Sequence, residues 1–233
     1  MSVSVILPAY REGESLAELL PRIKNALSGI GQPYEILVVD TVTKTDNTDE
    51  VCRINGCIYI KRKNGNNYGD AIRTGIDSVV NKYTVVMDAD GSHNPDDIAG
   101  FYAEMKNGYD MIIGSRYING GNSHNGIVLK MMSYILNITY RIFFGIKAKD
   151  ISNSFRMYKT EQLKQLSLDC DNFDIVEEII IKLSKNVSSF KLLEVPVFFD
   201  KRKYGESKRN LVKFMFSYVT TIMRLMRIKN GRY

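Results

Sequence analysis

Two aspartates, Asp88 and Asp90, stand one residue apart after the apolar run Val85-Val86-Met87 and before Gly91. If they end a strand, the alternation of its faces points both carboxylates the same way. Two like charges so close repel, and a hard cation held through carboxylate oxygens relieves the repulsion. Mg²⁺ and Mn²⁺ keep positions open for water and phosphate oxygens, so the chemistry such a pair could do is to grip a metal-bridged diphosphate. The plainer alternative is a solvated Asp-x-Asp turn.

The elements that must position these acids follow from the pattern around them. Apolar runs at Val3–Leu7, Glu35–Val39, Cys57–Lys61, Thr84–Met87 and Met111–Gly114 predict strands. Between them Ser15–Leu27, Asp49–Asn55, Tyr68–Val80 and Pro95–Asn107 carry apolar residues at helical spacing. Ser15-Leu16-Ala17-Glu18 has the pattern of a capping box. The alternation predicts an α/β domain with a mostly parallel, Rossmann-like sheet flanked by helices. Ligands of such sheets collect at the carboxyl ends of the strands. There Asp40 and Asp88 would line one crevice.

Four further segments fall at that edge. Pro8-Ala9-Tyr10-Arg11-Glu12 offers a ring to stack on a base and an acid to accept from it. Val38-Val39-Asp40 ends with an acid suited to a base N–H or a ribose hydroxyl. Asn64–Ala71 is a glycine-rich entry to a helix, a candidate anion site of weak signature. Gly114-Ser115-Arg116-Tyr117 brings a guanidinium, the group that grips phosphate in fixed geometry.

The chain has 233 residues, 44% hydrophobic, with a formal net charge of +6. That suffices for one large domain. Three cysteines lack metal-ligand spacing and make a poor disulfide framework, which fits a reducing cytoplasm. The first residues lack the basic start of a signal sequence and read as a buried strand. Basic residues gather late, from Lys201 to Arg232, and favour anionic partners. Ile127–Ile146 and Leu211–Ile228 are apolar but interrupted by charge, so each reads as an amphipathic helix for a bilayer surface, or as packing against the sheet or a partner. The basic, Phe- and Met-rich makeup tilts Leu211–Ile228 towards the membrane. The expected division is a catalytic domain over 1–210 and a basic amphipathic helix over 211–233.

Together these segments resemble the family-2 glycosyltransferases, and among them the dolichol-phosphate mannose synthase group. The marks are Ile6–Glu12, Asp88-Ala89-Asp90, Gly114–Tyr117, Asp150–Arg156, Glu194-Val195-Pro196 and Tyr204-Gly205-Glu206-Ser207-Lys208. The resemblance implies a GT-A fold with amphipathic helices on the acceptor side. It implies inverting transfer of a sugar from a nucleotide-sugar donor to a polyprenyl phosphate. Residue by residue, it assigns Pro8, Tyr10, Glu12, Val38 and Asp40 to the nucleotide. Asp88, Ala89 and Asp90 go to the diphosphate and a Mg²⁺ or Mn²⁺ ion, with Ser92 as a third ligand in some relatives. Arg116, Arg202 and Lys208 match basic residues around the donor and acceptor phosphates, and Arg156 lies in an acceptor-side segment. Asp90, Arg116, Arg202 and Lys208 are the expected catalytic set. A lipid phosphate is already ionised, so no strong general base is needed, and His93 and His124 are read as structural.

The family's paired acids after the second strand are absent: Asp40-Thr41-Val42-Thr43-Lys44-Thr45-Asp46 stands there, which leaves the nucleotide open. A non-lipid acceptor, a nucleotidyltransferase and a nucleic-acid-binding module are the rival readings. No aromatic-interleaved basic stripe supports nucleic acid, and none is expected as a partner. The expected location is peripheral, at the cytoplasmic face of a membrane. The chain would lie on the surface or recruit a membrane-embedded partner.

Overall fold

The computed structural model describes residues 2–124, 126–204 and 220–226. The predicted alternation is realised: β1 (Val3–Pro8), α1 (Gly13–Ile30), β2 (Tyr34–Asp40), α2 (Thr48–Ile54), β3 (Ile58–Lys61), α3 (Tyr68–Ser78), β4 (Tyr83–Val86), α4 (Asp97–Lys106) and β5 (Met111–Ser115). There follow β6 (Asn122–Ser123), α5 (Ile127–Phe144), β7 (Arg156–Lys159), α6 (Thr160–Lys164), α7 (Ile175–Asn186), β8 (Leu192–Pro196) and β9 (Phe198–Phe199).

The main sheet has seven strands in the order β3-β2-β1-β4-β7-β5-β8. All neighbours pair parallel except β7, which runs antiparallel to both β4 and β5. The reversal matters for the site. Arg156, the first residue of β7, lies opposite Val86 and Ile113. The chain entering β7 therefore arrives at the carboxyl ends of β4 and β5, where ligands of such sheets bind. Strands β6 and β9 form a separate two-stranded ribbon.

Both faces of the sheet are covered, as continuous apolar strands require. Leu16, Leu20, Ile23 and Leu27 of α1 pack with Ile98, Phe101 and Met105 of α4 in one core cluster. Ile72 and Ile76 of α3 pack with Ile175, Ile179 and Leu183 of α7 in the other, which also takes Tyr140 of α5. Leu225, in the helical residues 220–226, is fully buried in this second cluster, and Thr221 donates to Asp174 at 2.7 Å. That part of the predicted C-terminal helix is seated on the domain; the rest of it lies outside the described residues.

Helix α1 starts two residues before the predicted capping box. Ser15 is inside the helix, and its hydroxyl donates back to Glu12 Oε2 at 3.0 Å. The start of α1 is also held from a distance: Gly13 N donates to Asp46 Oδ2 at 2.9 Å, and the other Asp46 oxygen accepts from Thr48 N at 3.1 Å. Asp46 therefore ties the unusual segment after β2 to α1.

Helix α5 is built the other way round from an ordinary surface helix. Ile127, Met131, Ile135 and Ile142, on one face, point away from the protein, with Ile127 at 85% and Ile142 at 73% exposure. Asn137 and Tyr140, on the other face, are buried. By length and composition alone α5 could cross a membrane. Its inner edge is hydrogen-bonded to the domain, as described below.

Candidate active site

The acids stand beyond the strand rather than on it. β4 ends at Val86, and Met87 N still donates to Ile6 O at 3.2 Å, but Asp88-Ala89-Asp90 forms a turn. The strand-alternation argument for a shared direction does not apply there. What orients the turn is a set of hydrogen bonds. Asp88 N donates to His93 Nδ1 at 3.0 Å, and Ser92 N donates to Asp90 Oδ1 at 3.0 Å. Since His93 Nδ1 accepts, Nε2 carries the proton and donates to Asn153 Oδ1 at 3.2 Å. Asn153 in turn donates to Gly114 O at 2.6 Å. The buried imidazole stacks on Phe155, so His93 is a strut between the turn and β5. His124 pairs with Asp200 on the surface.

Ala89 is buried in the core cluster under α1 and α4, which leaves the flanking aspartates half-buried at the crevice. Asp88 Oδ1 accepts from Ser154 Oγ at 2.9 Å. Ser154 belongs to the segment that enters β7. Ser92 is buried, and its hydroxyl has no hydrogen-bond partner among the described residues.

Glu12 and Arg202 close the other side. Glu12 Oε1 accepts from Arg202 Nη2 at 2.5 Å, and Arg202 Nε lies 3.5 Å from Asp90 Oδ2. Burial pushes the Glu12 carboxyl above its ordinary range, Arg202 pulls it down, and the charges of Asp90 and Asp88 push it up again. These four side chains share one electrostatic neighbourhood. Arg202 reaches it because the chain after β9 folds back, with Asp200 N donating to Ser92 O at 2.9 Å. Its neighbours are pinned outside: Lys203 Nζ and the Tyr204 hydroxyl both bond Glu18. Lys208 lies outside the described residues.

Tyr10 stands over the same edge, 43% exposed, with the Arg11 guanidinium 5.5 Å from its ring centre. Pro8 ends β1 and is buried.

Arg116 is placed by Asp150. Its Nε donates to Asp150 Oδ2 and its Nη2 to Asp150 Oδ1, both at 2.8 Å, and its backbone N–H adds a third bond at 2.9 Å. Nη2 also reaches Ser152 Oγ at 2.9 Å and Ser133 Oγ of α5 at 3.3 Å. The Asp150 charge, with a smaller contribution from Asp88, raises the Arg116 pKa against the opposing effect of burial. Asn137 of α5 accepts from the backbone N–H groups of Ile151 and Ser152, at 2.9 and 3.0 Å. Helix α5 is thereby bonded to the segment that holds Arg116.

Several sequence expectations are corrected. Arg156 is fully buried, and its guanidinium donates to the carbonyls of Asn153, Val176 and Ile151. It ties three segments together and faces no acceptor phosphate. Val38 lies two residues inside β2 with its side chain in the hydrophobic core, which leaves only its backbone to meet a nucleotide. Asp40 does end β2, but it is 1% exposed, with Oδ1 accepting from Thr41 N at 2.7 Å and Oδ2 from Tyr59 at 3.1 Å. It braces the floor rather than presenting a carboxylate to a base. The glycine-rich stretch before α3 is no anion site. Asn67 and Asp70 cap each other there, and Gly69 lies so close to Cys170 that a Cβ would sit 2.2 Å from its carbonyl oxygen.

Asp150, Ser154, Asn153 and Ser133 are the site residues to which sequence reasoning gave no role. The first three carried a signal, since they sit in the polar run Asp150–Ser154. Ser133, inside an apolar helix, carried none.

Residues 4–167 match the model of glycosyl transferase family 2. A dolichol-phosphate mannosyltransferase from Pyrococcus furiosus is 37% identical over 235 residues, which cover 97% of this chain and 64% of that protein. An undecaprenyl-phosphate 4-deoxy-4-formamido-L-arabinose transferase from Klebsiella pneumoniae is 28% identical, over 97% of this chain and 70% of its own. The chain thus spans roughly two thirds of the length of these relatives. Among solved structures, glucosyl-3-phosphoglycerate synthase from Mycobacterium tuberculosis, in complex with Mn²⁺, UDP and phosphoglyceric acid, superposes with a TM-score of 0.75 at 16% identity. That match covers 97% of this chain and 78% of the other, and shows a shared GT-A fold.

Proposed function

Because the chain belongs to glycosyl transferase family 2, we propose that it transfers a sugar, with inversion, from a nucleotide-sugar donor to a polyprenyl phosphate at a membrane surface. The observation that carries this reading is the meeting of Asp88, Asp90, Glu12 and Arg202 in one crevice, beside a helix whose apolar face turns outward. The two curated relatives differ in the sugar named but share a polyprenyl-type phosphate acceptor. The acceptor class is therefore the transferable part, and the sugar and nucleotide are not.

The donor atoms at the turn suit a hard cation. Asp88 and Asp90 offer carboxylates, and Ser92 offers an unpartnered buried hydroxyl, all oxygen ligands. Among the described residues no cluster of three or more His, Cys, Asp or Glu forms a metal cage. Such a partial site fits Mg²⁺ or Mn²⁺ shared with a diphosphate and water. When bound, the ion would neutralise charge on the departing diphosphate.

The chain's own residues do the rest. Tyr10 presents an exposed ring for a base. Arg202 supplies the cation beside Asp90 and Glu12 where phosphate oxygens would arrive. Arg116, held by Asp150, sets a fixed positive charge behind Asp88. An acceptor phosphate is ionised near neutral pH, so it can attack the anomeric carbon without losing a proton first. His93 has both nitrogens engaged and serves as no base.

Attachment is assigned to the outward face of α5, peripherally at the cytoplasmic side, where the three free cysteines are at home. A membrane-embedded partner is the other route. Binding of the purified chain to protein-free vesicles separates the two.

The test is a screen of GDP- and UDP-sugars against a polyprenyl phosphate and 3-phosphoglycerate, with Mn²⁺ or EDTA. Metal-dependent label in the lipid fraction is expected from at least one donor. Label only in the soluble acceptor would refute the lipid assignment.

A further inference from the structure

At the far end of α5 the chain makes a second feature with the chemistry of a ligand site. Gly145, at φ 69°, ends the helix, and its N–H donates to Arg141 O at 2.9 Å. In the segment that follows, burial alternates, with Ile146, Ala148 and Asp150 buried and Lys147 and Lys149 exposed. Alternation sets the two lysines on one side. An open groove of about 550 Å³ lies between this segment and the last turns of α5, lined by Arg141, Lys147 and Lys149 together with Ile138 and Ile142.

The one acid lining the groove, Glu194, is held by backbone amides and offsets only one of the three cations, so the groove stays positive. Its two oxygens accept from Lys149 N at 2.8 Å and Asp150 N at 2.9 Å. The side chains of Arg141, Lys147 and Lys149 have no ion pair or hydrogen bond among the described residues. Three unpaired cations around one groove attract an anion. The apolar wall continues into the outward face of α5 through Ile142 and Phe143, 73% and 44% exposed. A free phosphate would meet the cations and leave that wall wet. An amphiphile with an anionic head satisfies both.

We propose that this groove binds the headgroup of an anionic phospholipid, with its acyl chains along the outward face of α5. The inference rests on the membrane-surface reading of α5 given above. The groove adjoins the reacting centre without sharing its crevice: Arg141 lies eight residues, about 12 Å of helix, from Ser133, which touches Arg116, while Glu194 on the groove wall holds the backbone of Asp150. The bound lipid would fix which way the crevice faces on the membrane.

The experiment is sedimentation of the full chain with phosphatidylcholine vesicles, with and without phosphatidylglycerol, and without any polyprenyl phosphate. Each basic residue near such a surface contributes about a fivefold factor, so R141Q/K147Q/K149Q should weaken partitioning to the phosphatidylglycerol vesicles on the order of a hundredfold at low salt. A control of equal charge change away from the carboxyl edge of the sheet, K82Q/K106Q/K164Q, should change it several-fold at most. Ile142→Gln, which keeps the cations, should weaken binding to both vesicle types. Unchanged binding of the first triple variant overturns the proposal. So does an equal loss in the control. Sugar transfer to detergent-dispersed polyprenyl phosphate by the wild-type chain is read separately. Its absence would sink the proposed function and leave the vesicle result standing.

Discussion

Replacing Asp150 by alanine should unlatch Arg116 and cost the fold heavily. The Arg116 side chain is 8% exposed and the Asp150 side chain fully buried, and three hydrogen bonds join the two residues. Removing one member of such a pair strands the other as an uncompensated buried charge, at a cost of about 3–5 kcal/mol. For a chain of this size each kcal/mol lowers Tm by about 2–4 °C, so the expected fall is about 6–20 °C. Urea unfolding followed by circular dichroism measures the free energy, and calorimetry measures Tm. The double variant Arg116→Met/Asp150→Ala supplies the internal control. It removes the stranded charge and should recover a substantial part of the lost stability, because an apolar replacement for a whole buried pair is often neutral. Both variants should be inactive. A single variant within about 1 kcal/mol of the wild type would refute the reasoning, as that is an ordinary substitution effect. So would a double variant no more stable than the single one.

Three further outcomes are expected. Asp90→Asn should abolish transfer while leaving the urea midpoint close to wild type; full activity in EDTA-treated buffer would remove Asp90 from any metal site. Arg202→Ala should lower transfer by one to two decades, the effect of losing about 1.5–3 kcal/mol of charged hydrogen bonding, whereas Lys203→Ala, which breaks an exposed pair with Glu18, should change it little. Equal losses in the two would show that Arg202 is only one charge of a basic loop. Burial, opposed by Arg156, pushes the Glu177 carboxyl up to about 8. The folded chain thus keeps a proton that the unfolded chain releases above its ordinary pKa of 4.5, so this residue makes stability fall as pH rises from there to about 8. Glu177→Gln should raise the urea midpoint more at neutral pH than in acid, and an equal shift at both would contradict the assignment.

Strand periodicity made the left half of the sheet legible, because β1, β2 and β4 are short apolar runs and the chain turns polar within two residues of each strand's end, at Tyr10, Asp40 and Asp88. The position of Asp88 was legible to within two residues; strand ends depend on pairing partners, and β4 stops where β7 begins. Arg156 was misread because nothing local shows three carbonyls from different segments closing on one guanidinium. Val38 came from matching a motif, and burial at a central strand is a property of both neighbours. Asp46 reaches Gly13 across 33 positions, a contact no local pattern contains. The outward stripe of α5 was visible as composition, but its direction was set by Ser133 and Asn137, whose bonds to Arg116 and the 151–152 backbone turn the polar edge inward.

Those three bonds have a thermodynamic consequence. Helix α5 and the segment that orients Arg116 are one connected body, so if α5 seats on a bilayer as proposed, the occupancy of one end and the geometry of the other are linked equilibria. Linkage is reciprocal: if a bilayer under α5 changes the affinity of the crevice for its donor by some factor, the donor must change the affinity for the bilayer by that same factor. The residence time of the chain at the surface would then depend on whether the crevice is loaded, in the same proportion as donor affinity depends on the bilayer.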